Sequence, residues 1–455
     1  MTIKALNPAT EEIVQQYQRL TDQQVVDRIE KAQSCFQSWR KVGFTERAEL
    51  MQNAAAVLRK NKEKYARLAT QEMGKPITEA RSEIEKCAWV CEYYAEHAAQ
   101  FLADETIETD ASKSYVAYNP LGVVLAVMPW NFPYWQVFRF AAPAVMAGNV
   151  GLLKHASNVP GCAEAIEEVF REAGFPDGVF YNLLIKSDQV QAVIEHSAVK
   201  AATLTGSERA GSAVASTAGK QIKKTVLELG GSDAYLILED ADLEQAASVC
   251  TTSRLLNTGQ SCIGAKRFIV LESVYDKFLA LFKEKMQAAK VGNPLEDDTE
   301  VGPMARADLR DELHQQVQKS IEKGAQCILG GTIPKGKGAF YPPTILVNIQ
   351  PGMPAYEEEL FGPVASVFKV KDEAEAIRIA NDSPFGLGAA VFTTDAERGQ
   401  RIAAEELEAG SCFVNGLVKS DPRLPFGGIK ISGYGRELSY FGIREFTNIK
   451  TVWVK

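Results

Sequence analysis

Apolar residues recur at helical spacing through three N-terminal segments, approximately 22–42, 45–73 and 77–101. Met73-Gly74-Lys75-Pro76 separates the second from the third, because glycine and proline cannot continue a helix. From residue 121 the pattern changes. Short apolar runs at 121–128, 150–154, 180–184, 201–205 and 225–229 are expected as strands, with helices between them, among them 134–147 and 160–173. Strands that are apolar on both faces and alternate with helices predict a parallel sheet covered on both sides. Gly230-Gly231 marks a boundary. A second alternating series opens with a strand at 234–238, a helix from Asp242 and a strand at 267–271, and continues to about Pro425. The fold class is therefore α/β, with two doubly wound units. Two further β-type runs, 114–118 and 446–454, lie outside both series and are candidates for pairing edges between subunits.

Bulk properties narrow the function classes. A chain of 455 residues has room for roughly three ordinary domains. Its 46% hydrophobic and 24% charged residues match a soluble globular protein. Acidic residues outnumber basic ones 58 to 50 for a net charge of −8, and no long basic run offers nucleic acid a footprint. The start, Met1-Thr-Ile-Lys-Ala-Leu6, lacks the apolar core of a signal peptide. The uncharged stretch 114–138 is broken by Asn119-Pro120, Pro129, Asn131 and Pro133, which suits a buried strand and loop better than a membrane span. A cytoplasmic protein without membrane or nucleic-acid partners is expected. The eight cysteines, at 35, 87, 91, 162, 250, 262, 327 and 412, are expected as reduced thiols. Cys87 and Cys91 share a helix face, but no ligand pair follows at zinc-site spacing, so no metal is expected.

Four places carry candidate chemistry. In Asn257-Thr-Gly-Gln-Ser-Cys262 a helical pattern ends, a Gly-Gln turn follows, and a thiol is presented before the next strand. A thiolate attacks carbonyl carbon well, although Cys262 taken alone reads more readily as an inert buried thiol. Leu227-Glu228-Leu-Gly-Gly231 places a carboxylate where partial burial would raise its pKa towards that of a general base; the alternative is a strand-end glutamate facing water. In Pro129-Trp-Asn131-Phe-Pro133 the amide is either a preorganised oxyanion donor or a cap on the following helix. Leu204-Thr-Gly206-Ser207-Glu-Arg-Ala-Gly211 follows a strand and opens a helix, whose backbone N–H groups suit a pyrophosphate.

Together, Asn131, Lys154, Glu228 and Cys262, with their flanks and order, resemble the aldehyde dehydrogenase superfamily. The likeness runs from Asn7-Pro-Ala-Thr10 through Glu357-Glu-Glu359-Leu-Phe361-Gly-Pro363 and Pro425-Phe-Gly-Gly-Ile-Lys430 to the last strand. The resemblance implies a Rossmann-like cofactor domain (residues 1–112 and 124–230), a catalytic domain (231–432) and a small β oligomerisation arm (113–123 and 433–455) in a homodimer or homotetramer. It implies Cys262 as nucleophile, with Asn131 holding the oxyanion and Glu228 activating water against a thioester. It also implies cofactor contacts at Trp130, Lys154, Gly206, Ser207, Glu359 and Phe361.

Two positions refine this expectation. Members that prefer NAD commonly carry Glu where Ser157 stands; Ser removes the repulsion of a 2′-phosphate, so NADP is expected as the preferred acceptor, with NAD as the second. Arg139, eight residues after Asn131, matches an Arg of succinate-semialdehyde dehydrogenases and is expected to clamp a substrate carboxylate, with Ser420 as a second contact. An internal ion pair is the other reading of Arg139. Some members carry another Arg where Leu256 stands here, for which Arg254 or Arg423 are candidate substitutes. Succinate semialdehyde is the expected substrate, with glutarate semialdehyde, one methylene longer, as the alternative. A thiol hydrolase would need a histidine partner, and none of His97, His155, His196 and His314 stands in a triad context. A purely structural role and acyl transfer to CoA are the remaining rivals; Cys262, Asn131 and Glu228 together argue against the first, and Glu228 against the second.

Overall fold

The computed structural model describes residues 2–455. A hairpin of β1 (Thr2–Leu6) and β2 (Ile13–Gln18) precedes the first helix; its small cluster of Ile3, Ala5 and Tyr17 gave no periodic signal in the sequence. Helices α1 (Asp22–Trp39), α2 (Phe44–Lys60), α3 (Lys62–Met73) and α4 (Ile77–Phe101) follow. The stretch expected as one helix over 45–73 is thus two. Asn61 interrupts it with φ −102° and ψ 14°, consistent with the poor helix preference of a side chain that competes for backbone hydrogen bonds. Helix α4 buries Ile77, Ala80, Ile84, Cys87, Ala88, Cys91, Tyr94 and Ala98, one stripe at helical spacing.

After β3 (Glu105–Thr106) and β4 (Lys113–Pro120), the first large sheet begins with β5 (Val123–Met128), α5 (Trp135–Met146), β6 (Val150–His155), α6 (Pro160–Glu172) and β7 (Phe180–Asn182). It continues with α7 (Val190–Glu195), β8 (Val199–Thr205), α8 (Glu208–Lys220) and β9 (Lys224–Glu228). The second large sheet takes β10 (Ala234–Ile237), β11 (Arg267–Leu271), β12 (Gln326–Leu329), β13 (Thr344–Val347), β14 (Val364–Val370), β16 (Gly388–Phe392) and β17 (Ser411–Val414). Short strands β15 (Phe385–Gly386) and β18 (Ile429–Lys430) pair separately; β19 (Gly433–Tyr434) joins the first sheet beside β9. The last strand, β20 (Thr447–Val454), pairs antiparallel with β4 from Thr447–Pro120 to Val454–Lys113, in a three-stranded sheet with β3.

The first sheet has the order β19-β9-β8-β5-β6-β7, with β5 to β9 parallel. The chain leaves β5 towards β6 and β7, then crosses back to β8 on the other side. A crevice therefore opens between the carboxyl ends of β5 and β8, where such sheets accept ligands. The second sheet runs β12-β13-β14-β11-β10-β16-β17, parallel except for β12. Along β10, Ala234 and Leu236 enter one core while Tyr235 and Ile237 enter another, so both faces are covered. Helix α9 (Leu243–Leu255), capped by Asp242, runs from this sheet towards the turn that precedes Cys262.

Candidate active site

Two cavities meet at Cys262. One, of about 500 Å³, lies at the crevice beside β5 and β8 and is walled by Trp130, Asn131, Gly206, Ser207, Glu359 and Phe361. The other, of about 340 Å³, is walled by Glu79, Lys86, Trp135, Arg139, Leu256 and Ser420. Cys262 and Gln136 line both.

The nucleophile is positioned by a strained turn. Asn257 and Thr258 have φ of 53° and 57°, and Gly259 follows at 72°. Left-handed dihedrals at non-glycine residues cost roughly 1–3 kcal/mol each and persist only where surrounding contacts hold them. Here the Asn257 N–H donates to Glu79 (2.7 Å), its side-chain amide donates to the Asn131 carbonyl (2.7 Å), and the Gly302 N–H donates to Thr258 Oγ1 (3.0 Å). Gly259 is required: a Cβ there would stand 2.3 Å from the Gly362 carbonyl oxygen. Behind the turn, the Lys266 ammonium donates to the Ser261 and Cys262 carbonyls at 2.7 and 2.6 Å and pairs with Glu359 at 3.0 Å. Burial pushes the Cys262 thiol up to about 11, against a pull from Lys266 and Arg139. The resting sulfur is therefore a thiol that must lose its proton before it can attack.

Asn131 does not cap α5. That task falls to Glu83 of α4, whose carboxylate accepts from the Tyr134 and Trp135 N–H groups at 2.8 and 2.9 Å. The Asn131 amide is instead held from both ends. Its Oδ1 accepts from Gln136 Nε2 (3.0 Å) and its Nδ2 donates to the Gln260 carbonyl (3.1 Å). An amide nitrogen carries two N–H donors, so one remains for a ligand.

Glu228 does not face water: it is 2% exposed. Neither carboxylate oxygen has a hydrogen-bond partner among the described residues, and the side chain lines neither cavity. It points instead to Gly427, where a Cβ would stand 2.7 Å from Glu228 Oε1. Desolvation, then the neighbouring Glu437, raises its pKa well above the usual carboxylate range, while Arg139 and Arg436 oppose them.

On the cofactor-sized cavity, Trp130 and Phe361 face each other edge-on, with ring centroids 5.8 Å apart. Ser207 caps α8, accepting from the Ala210 N–H at 3.4 Å, and so sets the free N–H groups of that helix at the crevice. Glu359 accepts from the Gly231 N–H (3.2 Å) besides its Lys266 contact. Lys154 is the penultimate residue of β6 and Ser157 lies two residues beyond its carboxyl end, both outside the cavity wall. Lys154 is half-buried, with its pKa lowered by that burial, and Ser157 is exposed. These elements suit a dinucleotide: a helix N-terminus for phosphates, an aromatic slot beside the sulfur, and a cation with a hydroxyl at the next strand end.

The smaller cavity departs from expectation at Arg139. Its guanidinium is ion-paired with Glu437, donates to Thr205 Oγ1 (3.3 Å) and lies 4.6 Å over the Phe426 ring. Both expectations for Arg139 are thus partly met, since it stands in the cavity wall with its charge matched internally. Ser420 also lies in the wall, where its Oγ accepts from Trp135 Nε1 (3.0 Å) and Lys86 Nζ (2.9 Å). Neither candidate for a second substrate arginine reaches this cavity. Arg254 is buried and donates to the Gly259 carbonyl, and Arg423 pairs with Asp421 at 2.7 Å. Sequence reading missed Gln136, Lys266, Glu83 and Lys86. Their types and spacings are ordinary, and only the contacts reveal what they do.

Among the described residues no helix is long and apolar enough to cross a membrane. The profile of the Aldehyde dehydrogenase family matches residues 1–452. A probable NADP(+) succinate-semialdehyde dehydrogenase of Synechocystis sp. is 52% identical, covering 100% of both chains. An NADP(+) succinate-semialdehyde dehydrogenase of Mycobacterium bovis is 50% identical, again over 100% of both. The crystal structure of succinic semialdehyde dehydrogenase from Streptococcus pyogenes, in complex with NADP+, superposes with a TM-score of 0.97 at 42% identity, covering 99% of each chain. A half-buried thiol at the junction of a dinucleotide-sized crevice and a second, smaller chamber is what that kinship predicts, and the chain belongs to the aldehyde dehydrogenase family.

Proposed function

We propose that this enzyme oxidises succinate semialdehyde to succinate, with NADP as the preferred hydride acceptor and NAD as the second. The observation that carries the reading is the position of Cys262, open on one side to a crevice suited to a dinucleotide and on the other to a chamber lined by cationic and hydroxyl side chains. The Synechocystis and Mycobacterium relatives, which span this whole chain, support the choice of substrate and cofactor.

In this mechanism the Cys262 sulfur, once deprotonated, bonds to the aldehyde carbon. The resulting oxyanion accepts hydrogen bonds from the free Asn131 Nδ2–H and the Cys262 backbone N–H, an arrangement that stabilises charge as it develops. A nicotinamide dinucleotide held in the crevice would supply the hydride acceptor, and Cys262 is then left carrying the acyl group as a thioester. Glu228 then takes a proton from water, which attacks the thioester carbon; the C–S bond breaks, the carboxylic acid leaves, and the proton held by Glu228 returns to the departing sulfur to restore the thiol. To do so, Glu228 rotates from its seat at Gly427 into the space beside Cys262, and its raised pKa makes it a stronger base than an exposed glutamate. Ser207 and Gly206 would hold the pyrophosphate, Trp130, Phe361 and Glu359 would hold the nicotinamide riboside, and Lys154 with Ser157 would receive the adenosine 2′-phosphate. Arg139 and Ser420 face the distal carboxylate of the substrate.

Residues 1–112 with 124–230 form the cofactor unit and 231–432 the catalytic unit in this reading. Residues 113–123 and 433–455 form an arm that pairs with a second copy in a homodimer or homotetramer. The exposed Ile449, Trp453 and Val454 on β20, an edge strand, support that role for the arm.

The test is an assay without CoA, using succinate semialdehyde, glutarate semialdehyde and butanal with each cofactor. Succinate semialdehyde with NADP should give the highest kcat/KM. Cys262→Ala should lower cofactor reduction by about 10⁴-fold, the scale on which a covalent nucleophile acts. Cofactor reduction at the parent's rate by Cys262→Ala, or no preference for the ω-carboxylated aldehydes, would overturn the reading.

A further inference from the structure

Of the charged side chains that line the smaller cavity, Arg139 and Glu83 are ion-paired, whereas Glu79, Lys86 and Lys419 have no such partner among the described residues; Lys419 is exposed and Glu79 accepts from the Asn257 N–H. Arg139 on α5 is paired with Glu437. Glu83, on α4 one turn before residue 86, is paired with Lys75. Asp421, in the loop beyond Ser420, is paired with Arg423 at 2.7 Å. Lys86 has no carboxylate within ion-pair distance among the described residues. Its ammonium sits 4.1 Å over the Trp135 ring and donates to Ser420 Oγ at 2.9 Å, so the flexible stem is held and the charge is turned to the cavity wall. An ammonium has three donors, of which Ser420 takes one. The Trp135 indole N–H converges on the same hydroxyl at 3.0 Å, which leaves the Ser420 O–H itself free to donate to a ligand.

From this geometry we propose that Lys86 is the specificity-determining cation of the substrate chamber. Together with Arg139 and the Ser420 hydroxyl it holds the distal carboxylate of an ω-carboxylated aldehyde, and unlike Arg139 it brings a charge that no carboxylate of the protein matches. The inference rests on the proposed preference for such aldehydes and names the side chain that creates it. A partly desolvated ammonium with no internal counter-ion is costly to keep in an empty chamber, and a substrate carboxylate removes that cost. Consistent with this, burial lowers the Lys86 pKa to about 8. The Arg139 guanidinium lowers it further, and Cys87, Glu83 and Asp421 oppose the shift.

The experiment measures kcat and KM of the full-length enzyme with saturating NADP for succinate semialdehyde and butanal, in the parent, Lys86→Gln and Lys86→Arg. Gln keeps a hydrogen bond to Ser420 without the charge; Arg keeps the charge. The ratio of kcat/KM for succinate semialdehyde over butanal should fall roughly 10- to 100-fold in Lys86→Gln, the range for losing a charged hydrogen bond, through a raised KM. Lys86→Arg should recover most of that loss. A ratio in Lys86→Gln equal to the parent's, or equal losses in both variants, overturns the assignment. If the parent itself shows no preference for succinate semialdehyde, the proposed substrate class fails instead, so the two failures are told apart by the parent's ratio.

Discussion

The two cavities at Cys262 are built in different ways. The cofactor side is made largely of backbone: strand ends at Trp130 and Gly206, the N-terminus of α8 behind Ser207, and the loop that carries Glu359 and Phe361. The substrate side is made of side chains from segments far apart in the chain. Lys86 on α4 meets Ser420 across 334 positions, and Trp135 meets the same hydroxyl across 285. A backbone site follows from topology, since any doubly wound sheet opens a crevice where its connections diverge. A side-chain site is settled by packing, and a few substitutions there can change the ligand while the fold stays as it is. The contrast explains why a cofactor class is easier to read from a sequence than a substrate.

The comparison can be broken at its seam first. Glu228→Gln should leave acylation of Cys262 in place but slow hydrolysis of the thioester, lowering steady-state kcat by about 10³-fold, within the range for a lost general base. A rapid burst of cofactor reduction should precede the slow phase. The carboxyl is raised above its usual range, so only its deprotonated fraction takes a proton from water. Hydrolysis in the parent should therefore speed up as pH rises through that raised value, and the dependence should vanish in the variant. A slow variant without a burst would mean that Glu228 acts before the thioester forms.

A change on the cofactor side alone should be smaller. Ser157→Glu places a carboxylate at the exposed end of β6, where it would repel a 2′-phosphate and accept from a 2′-hydroxyl. The NADP-to-NAD ratio of kcat/KM should fall about 10- to 100-fold, while KM for succinate semialdehyde stays unchanged. An unchanged ratio would place cofactor discrimination elsewhere.

The smallest effect should come from Gln136, which walls both cavities and holds the Asn131 amide. Gln136→Leu should lower kcat about 5- to 10-fold for succinate semialdehyde and butanal alike, because it loosens the oxyanion donor without touching the distal carboxylate. A loss confined to one aldehyde would show that Gln136 belongs to only one side of the seam.

Legibility followed the same division. The strand expected at 267–271 is β11 to the residue, and that at 150–154 is β6 with one residue added, because apolar runs flanked by turns need no distant partner to be recognised. The long helix over 45–73 split at Asn61, and the β1–β2 hairpin passed unnoticed, since its pairing carries little periodic signal. At the site, Cys262, Asn131 and Glu228 stood out by their flanking glycines and prolines. The capping of α5 by Glu83, the ion pair of Arg139 with Glu437 and the anchoring of Lys266 under the nucleophile turn did not. Each joins residues that local pattern treats as ordinary.

What the chain order determined was the pair of covered sheets, the helix opening behind Ser207, and the thiol placed just after a turn. These depend on the spacing of apolar, glycine and proline residues, which acts locally on the backbone. What only the tertiary structure decided was the state of each charge: Arg139 matched by Glu437, Glu228 turned to Gly427 without a partner, Lys86 left with none but a hydroxyl and a ring. Electrostatic character depends on distance and desolvation, and neither exists until segments hundreds of residues apart have packed together.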